Sequence, residues 1–182
     1  STPAPEGLVF RIEGKGNGLS FESGLNAGDS IASFRIPVSE MRLWSLDDPF
    51  LYEVTASLSN GREADSVNTY FGMRKISAMT IPGKDFKYVA LNNQPLYLRL
   101  SLDQSYHPEG FYTFPSDAFM KDEIMRAKNL GLNGLRIHIK AEIRRKLYWA
   151  DKYGLLIMED IPNYCGEPDP ESKANWEYIA ER

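Results

Sequence analysis

The sequence predicts a small β-sandwich over residues 1–83 followed by a parallel α/β unit over residues 84–182, and three observations carry that expectation. The first part consists of strand-length apolar runs separated by Gly, Pro and Asn clusters. The second part alternates strand and helix periods, which is the pattern of a parallel sheet covered by helices. Its strands also end on charged residues, at the edge where α/β folds hold ligands.

In the first part, "LVFRIEG" (Leu8–Gly14), "GDSIASFRIPV" (Gly28–Val38) and "FLYEVTASLS" (Phe50–Ser59) are rich in Val, Ile, Phe and Tyr and read as strands. Tyr52, Val54, Ala56 and Leu58 alternate with Leu51, Glu53, Thr55 and Ser57, the period of a half-buried strand. Asn60-Gly61 then predicts a tight hairpin whose two turn residues take positive φ. Several such strands without helical periods suggest an immunoglobulin-like sandwich, which the chain holds completely or in part. "GKGNG" (Gly14–Gly18) lacks the Lys-Ser or Lys-Thr ending of a phosphate loop and reads as a turn.

In the second part, a strand is predicted from Leu96 to about Asp103 and a helix over Asp117–Leu130. Ser116 stands at the N-cap, Asp117 faces the positive end of the helix dipole, and Gly131 marks the left-handed stop. Met120, Ile124 and Ala127 line one helix face. "LNGLRIH" is the next strand. A helix from about Ala141 to Tyr153 then buries Ile143, Leu147 and Ala150, Gly154 stops it, and "LLIMED" is a third strand. "ESKANWEYIAER" (Glu171–Arg182) reads as a further helix.

Asp103 and Gln104, then Arg136, His138 and Lys140, then Glu159 and Asp160 fall at or beyond the ends of these three strands. Three polar clusters at one edge of consecutive strands predict a site. A net charge of −4 gives no electrostatic reason to expect nucleic acid or an anionic membrane as partner. No apolar run approaches the ~20 residues needed to span a bilayer. The single cysteine, Cys165, excludes an internal disulfide, and two histidines make a histidine-rich metal site an unsuitable reading. His107, before Pro108, has no partner visible in the sequence, and Trp44 and Trp149 read as core.

Five stretches in order resemble glycoside hydrolase family 2, the group of β-galactosidases, β-glucuronidases and β-mannosidases. They are "LWSLDDPFLYEV" (Leu43–Val54), "YFGMRKI" (Tyr70–Ile76), "ALNNQPLYLRL" (Ala90–Leu100), "IMRAKNLGLNGLRIH" (Ile124–His138) and "YWADKYGLLIMEDIP" (Tyr148–Pro162). The resemblance implies an immunoglobulin-like domain leading into a (β/α)8 barrel, of which this chain holds the first three βα units. A whole barrel needs ~250 residues. The family's catalytic pair, a general acid and a nucleophile glutamate, is therefore expected after Arg182, and the chain alone is expected to be inactive. The open barrel edge predicts self-association or low stability of the isolated chain.

The same resemblance implies a carbohydrate substrate, retention at a β-linkage and no organic cofactor. Asp103 and Gln104 would bind sugar hydroxyls and Tyr106 would stack on a sugar ring. Arg136 would orient the nucleophile carboxylate or pair with Asp160, His138 would contact hydroxyls, and Lys140 would lie solvated in the loop. Asp160 stands where relatives carry Glu, which leaves its sugar contact open. Glu159 and Asp160 are adjacent on a strand and point to opposite faces, so they do not form a catalytic pair. The rival reading is a non-catalytic carbohydrate-binding or structural module.

Overall fold

The computed structural model describes residues 3–104, 106–162 and 169–180. The chain divides into two compact units, Ser1–Leu43 with Phe50–Met73, and Trp44–Pro49 with Arg74–Arg182. Cys165 lies outside the described residues.

The first unit is an antiparallel sheet of β1 (Val9–Gly14), β2 (Ser20–Gly24), β3 (Tyr52–Ser59) and β4 (Ala64–Phe71), in the order β2-β1-β3-β4. The glycine-rich stretch is the β1–β2 turn, with Gly16 and Gly18 at φ 73° and 70° and Gly14 N–H bonded to Leu19 O at 2.7 Å. The β3–β4 hairpin differs from its expected form. Ser59 pairs with Ala64, so the loop has four residues, and within it Gly61 takes positive φ. Asn60 instead closes the loop with its side chain, Oδ1 accepting from Arg62 N–H at 2.9 Å and Glu63 N–H at 2.8 Å.

Gly28–Val38, expected as a strand, forms none. Its apolar residues cover a sheet face instead of pairing in a ladder. Phe34 stacks on Phe10 with ring centroids 5.2 Å apart and tilts against Phe21 at 5.2 Å. Among the described residues the second sheet of a sandwich is thus replaced in this unit by an extended cover. Tyr52 and Val54 are buried as the alternation requires. The Tyr52 hydroxyl donates to Glu40 O at 3.2 Å and accepts from Arg42 N–H at 2.7 Å, which fixes the incoming segment.

The second unit opens with an antiparallel sheet of β5 (Ile76–Thr80), β6 (Lys87–Leu91) and β7 (Gln94–Pro95). The expected domain boundary at residue 83 falls in the β5–β6 connection. A parallel sheet follows, β8 (Leu100–Asp103), β9 (Gly134–Ile137) and β10 (Leu156–Glu159), with β9 central. β8 begins four residues later than expected. Asn133 explains this, because its side chain takes up the preceding backbone: Oδ1 accepts from Arg99 N–H at 2.7 Å and Nδ2 donates to Tyr97 O at 2.8 Å.

α1 (Asp117–Asn129) joins β8 to β9, with Ser116 Oγ accepting from Phe119 N–H at 3.1 Å and Gly131 at φ 80° just past its end. Met120, Ile124 and Ala127 are buried, as their spacing requires. α2 (Arg144–Tyr153) starts three residues later than expected. Ile139 takes φ 49° and turns the chain, and Ile143, expected in the core, is an exposed N-cap without a side-chain bond. Lys146 is buried in its place. Gly154 ends α2 at φ 72°, where a Cβ would meet Leu46 O at 2.5 Å, so both the backbone angle and the neighbour require glycine.

Ile124, Ala127, Leu135, Ile137, Ala150 and Leu155 form the core between helices and sheet. Trp44 is fully buried, as expected, and its Nε1 donates to Asp151 O at 2.7 Å. Trp149 is only partly buried: it packs against the core, stacks on Tyr153 at 5.7 Å and donates from Nε1 to Asp117 Oδ1 at 2.8 Å. α3 (Pro170–Ala180) starts with proline at its first turn, and Asp169 Oδ1 caps it by accepting from Ser172 N–H at 2.7 Å.

Candidate functional site

Strand register decides which of the candidate residues meet. Leu102, Arg136 and Met158 stand side by side in β8, β9 and β10, and the next level is Asp103, Ile137 and Glu159. Side chains alternate between faces. Ile137 is fully buried in the core beneath the helices, which assigns Asp103 and Glu159 to the helix-covered face. Leu102, Arg136 and Met158 are exposed on the opposite face.

On that open face Arg136 and Asp160 form a forked ion pair, Nε to Oδ1 at 3.1 Å and Nη2 to Oδ2 at 2.7 Å. The guanidinium is therefore already oriented by one carboxylate, with its side chain 48% exposed. Gln104 is exposed just beyond β8, and His138, whose N–H bonds Asp103 O at 2.9 Å, is half-buried just beyond β9. The strand does not persist to Lys140, because the turn at Ile139 ends the alternation that would have put Arg136, His138 and Lys140 on one face.

On the helix-covered face lies a buried charge cluster that the sequence reading missed. Lys146, fully buried, directs Nζ to Asp103 Oδ2 at 2.6 Å, Glu123 Oε2 at 3.3 Å and Glu142 Oε2 at 3.5 Å, with the Phe114 ring centroid at 4.7 Å. The Asp103 contact is an aligned hydrogen bond, whereas Glu123 Oε2 is a charge contact without one. Burial, the neighbouring Asp103 and Glu142 carboxylates adding to it, holds the Glu123 carboxyl above its ordinary value despite the ammonium. Burial alone would depress Lys146, but the Asp103 bond and the three carboxylates outweigh it and raise the ammonium above 10.5.

Lys140 joins this cluster instead of lying solvated. Its side chain is 13% exposed, and Nζ lies 3.1 Å from Glu142 Oε1 and over the Tyr112 and Phe114 rings at 5.6 and 5.4 Å. Glu159 Oε1 accepts from Glu142 N–H at 2.7 Å. Asp103, Lys146, Glu142 and Glu159 thus tie together the C-terminal ends of the three parallel strands. The sequence signal for the cluster was present in the i, i+4 pair Glu142 and Lys146. It was hidden because a lysine inside a helix is normally read as surface.

His107 has partners after all. Its Nδ1 accepts from Glu109 N–H at 3.2 Å, and its ring packs edge-on against Phe119 at 5.2 Å. Tyr106 is exposed in the same loop. At the start of α1, Arg145 donates to both Asp117 oxygens, at 2.5 and 2.8 Å. That bond, with smaller help from the Trp149 N–H and the charges of Arg145 and Lys121, lowers the Asp117 carboxyl to about 2. The favourable effect of the ionised carboxyl is therefore present above 3.8, the ordinary value, and lost as pH falls through about 2. A carboxyl-carbon NMR titration is expected to place Asp117 near that value, and Arg145→Gln to move it upward.

Comparison with known proteins agrees with this architecture. The sequence model of Glycosyl hydrolases family 2 matches residues 11–74. The chain is 31% identical over 155 residues to a β-galactosidase of Leuconostoc mesenteroides, an alignment covering 84% of this chain and 14% of the relative. It is 30% identical over 166 residues to a β-galactosidase of Thermoanaerobacterium thermosulfurigenes, covering 89% and 21%. Among solved structures, β-glucuronidase 3 of Bacteroides uniformis superposes with a TM-score of 0.73 at 25% identity, over 92% of this chain and 21% of that one. The exo-chitosanase of Amycolatopsis orientalis gives 0.71 at 21% identity, over 95% and 22%. The chain spans only about a fifth or less of these relatives. The family sequence model on the first unit and relatives aligned along most of the length agree, and the chain belongs to glycosyl hydrolases family 2.

Proposed function

We propose that this chain is part of a retaining β-glycosidase, comprising an immunoglobulin-like module to about residue 83 and the first three βα units of a (β/α)8 barrel from residue 84. The observation that carries the proposal is the parallel sheet β8-β9-β10, in sequence order, with polar residues at all three C-terminal ends in a member of this family. Such an edge is where a barrel enzyme holds its substrate.

Retaining hydrolysis needs two carboxyl groups ~5–5.5 Å apart, one to attack and one to protonate the leaving oxygen. The carboxylates at these strand ends are engaged otherwise: Asp160 with Arg136, Asp103 with Lys146, Glu142 with both lysines, Glu159 with backbone. The proposal therefore assigns acid and nucleophile to later strands of the same barrel, beyond Arg182, and the chain alone is inactive. Arg136, held by Asp160, supports the nucleophile from the open face, while Gln104, His138 and Tyr106 contact the sugar. Asp103 and Lys140 act from behind, fixing the strand ends on which those contacts depend.

The test is to read the coding sequence past Arg182 and assay its full product on aryl β-glycosides. The expected result is a glutamate at the end of a fourth and of a later strand, with turnover lost when either becomes glutamine. A reading frame that ends at Arg182, or a full product without turnover, would sink the enzyme reading.

A further inference from the structure

The loop after β8 carries an exposed aromatic surface that meets the buried cluster through Lys140, which lies over the Tyr112 ring. Tyr106, Phe111 and Tyr112 are 60%, 62% and 63% exposed, an unusual density of bare aromatic surface in one short loop. They touch one another edge-on, Tyr106 to Phe111 at 6.0 Å and Tyr106 to Tyr112 at 6.5 Å, in the geometry aromatic quadrupoles prefer.

The loop beneath them is closely tied. His107 and Phe111 exchange backbone bonds at 2.7 and 2.8 Å, and Thr113 N–H and Oγ1 both donate to Gly110 O, at 2.8 and 2.7 Å. A Cβ at Gly110 would lie 2.3 Å from Thr113 O, so this turn closes only around glycine. Lys140 Nζ reaches Tyr112 O at a long 3.5 Å and lies over its ring.

Phe111 itself sits at φ 54°. A phenylalanine in the left-handed region is strained, and here the ring, 62% exposed, gains little burial to offset it. Packing among the described residues does not account for a strained aromatic held outward on a fixed loop at the strand-end edge of the sheet. Recognition of a flat apolar face does.

We infer that Tyr106, Phe111 and Tyr112 form an aromatic platform that binds the group attached to the glycoside, through the C–H face of a second pyranose ring or the π face of an aryl aglycone. This rests on the carbohydrate reading above but not on catalysis by the chain. The platform selects what lies beyond the scissile bond, with Tyr106 reaching from it to the sugar ring, while the strand-end residues hold the sugar hydroxyls.

The experiment uses the full-length protein and its Phe111→Gly and Tyr112→Ala variants. Binding is followed by NMR and calorimetry with methyl and phenyl β-glycosides of galactose, glucuronic acid and glucosamine, and with lactose. Phe111→Gly removes the ring and relieves the backbone strain together. Thermal stability is therefore expected to hold or rise while affinity for the extended ligand falls, whereas a structural role would lower stability. The expected result is a loss of roughly 3- to 10-fold for phenyl glycosides or lactose, with the methyl glycosides unchanged.

Loss confined to lactose identifies a sugar ring as occupant, and loss confined to phenyl glycosides an aryl group. Equal affinity of wild type and variants for every ligand, or absence of any glycoside effect on the three ring signals, overturns the platform. Turnover is scored separately. Hydrolysis with unaltered KM in the variants keeps the glycosidase and rejects the platform, and platform binding without hydrolysis does the reverse.

Discussion

Lys146→Met is expected to destabilise the second unit by about 3–5 kcal/mol, the usual cost of removing one partner from a buried charge cluster. The side chain is fully buried, and its loss removes the ammonium that Asp103, Glu123 and Glu142 share, while Lys140 stays paired with Glu142. Methionine fills much of the same volume, so lost charge compensation dominates over cavity formation. Urea denaturation is the measurement, and a loss under 1 kcal/mol would mean that water or rearrangement screens the cluster.

The pH dependence gives an independent check. The Glu123 carboxyl is raised from 4.5 in the folded state, so the folded chain holds that proton more tightly than the unfolded chain. Its contribution is fully present below 4.5 and is lost as pH rises through the folded value. Without the ammonium that opposes this shift, the loss should extend to higher pH. Lys146→Met should therefore recover much of its stability on acidification from pH 7 toward pH 5. The wild-type ammonium, raised above 10.5, contributes stability below that value and loses it only as pH rises through its folded value. A variant whose deficit is the same at both pH values would contradict the electrostatic account.

Trp44→Ala is the second large effect, about 3–5 kcal/mol for deleting a fully buried indole. The ring packs beneath the Arg74 guanidinium, 4.6 Å from its centroid, and its N–H satisfies Asp151 O. Arg74 in turn pairs with Asp151 at 2.7 Å, and Asn92 Nδ2 bonds Trp44 O at 2.9 Å. Trp44→Phe separates packing from the polar contact. It keeps most of the ring and removes the N–H that donates to Asp151 O, for an expected loss of about 1–3 kcal/mol. Equal losses in the two variants, by chemical denaturation, would show that the hydrogen bond and not the packing dominates.

The local elements of this chain follow from its sequence wherever a single periodicity governs. Met120, Ile124 and Ala127 at helical spacing, Ser116 before them and Gly131 after them define α1 without help from the rest of the fold. The same holds for Gly154 closing α2 and for the alternation that buries Tyr52 and Val54. The parallel order of the last three strands and the charge at their ends also follow from the sequence, as does the family resemblance through its motifs.

Tertiary structure decided what those charges do. Register with the buried Ile137 turned Asp103 toward the helices and Arg136 toward the open face, and a one-residue difference in strand position reverses such an assignment. Burial of Lys146 depends on three acids from β8, α1 and the loop before α2, residues up to 43 positions away, so helix periodicity alone gave no sign of it. Gly28–Val38 looked like a strand because apolar content reports burial and not the partner. Phe34 found its burial against rings on the sheet face, where no ladder was needed. A sequence carries its local propensities with it, whereas the charge and hydrogen-bond partners of a strand end exist only once distant segments have packed.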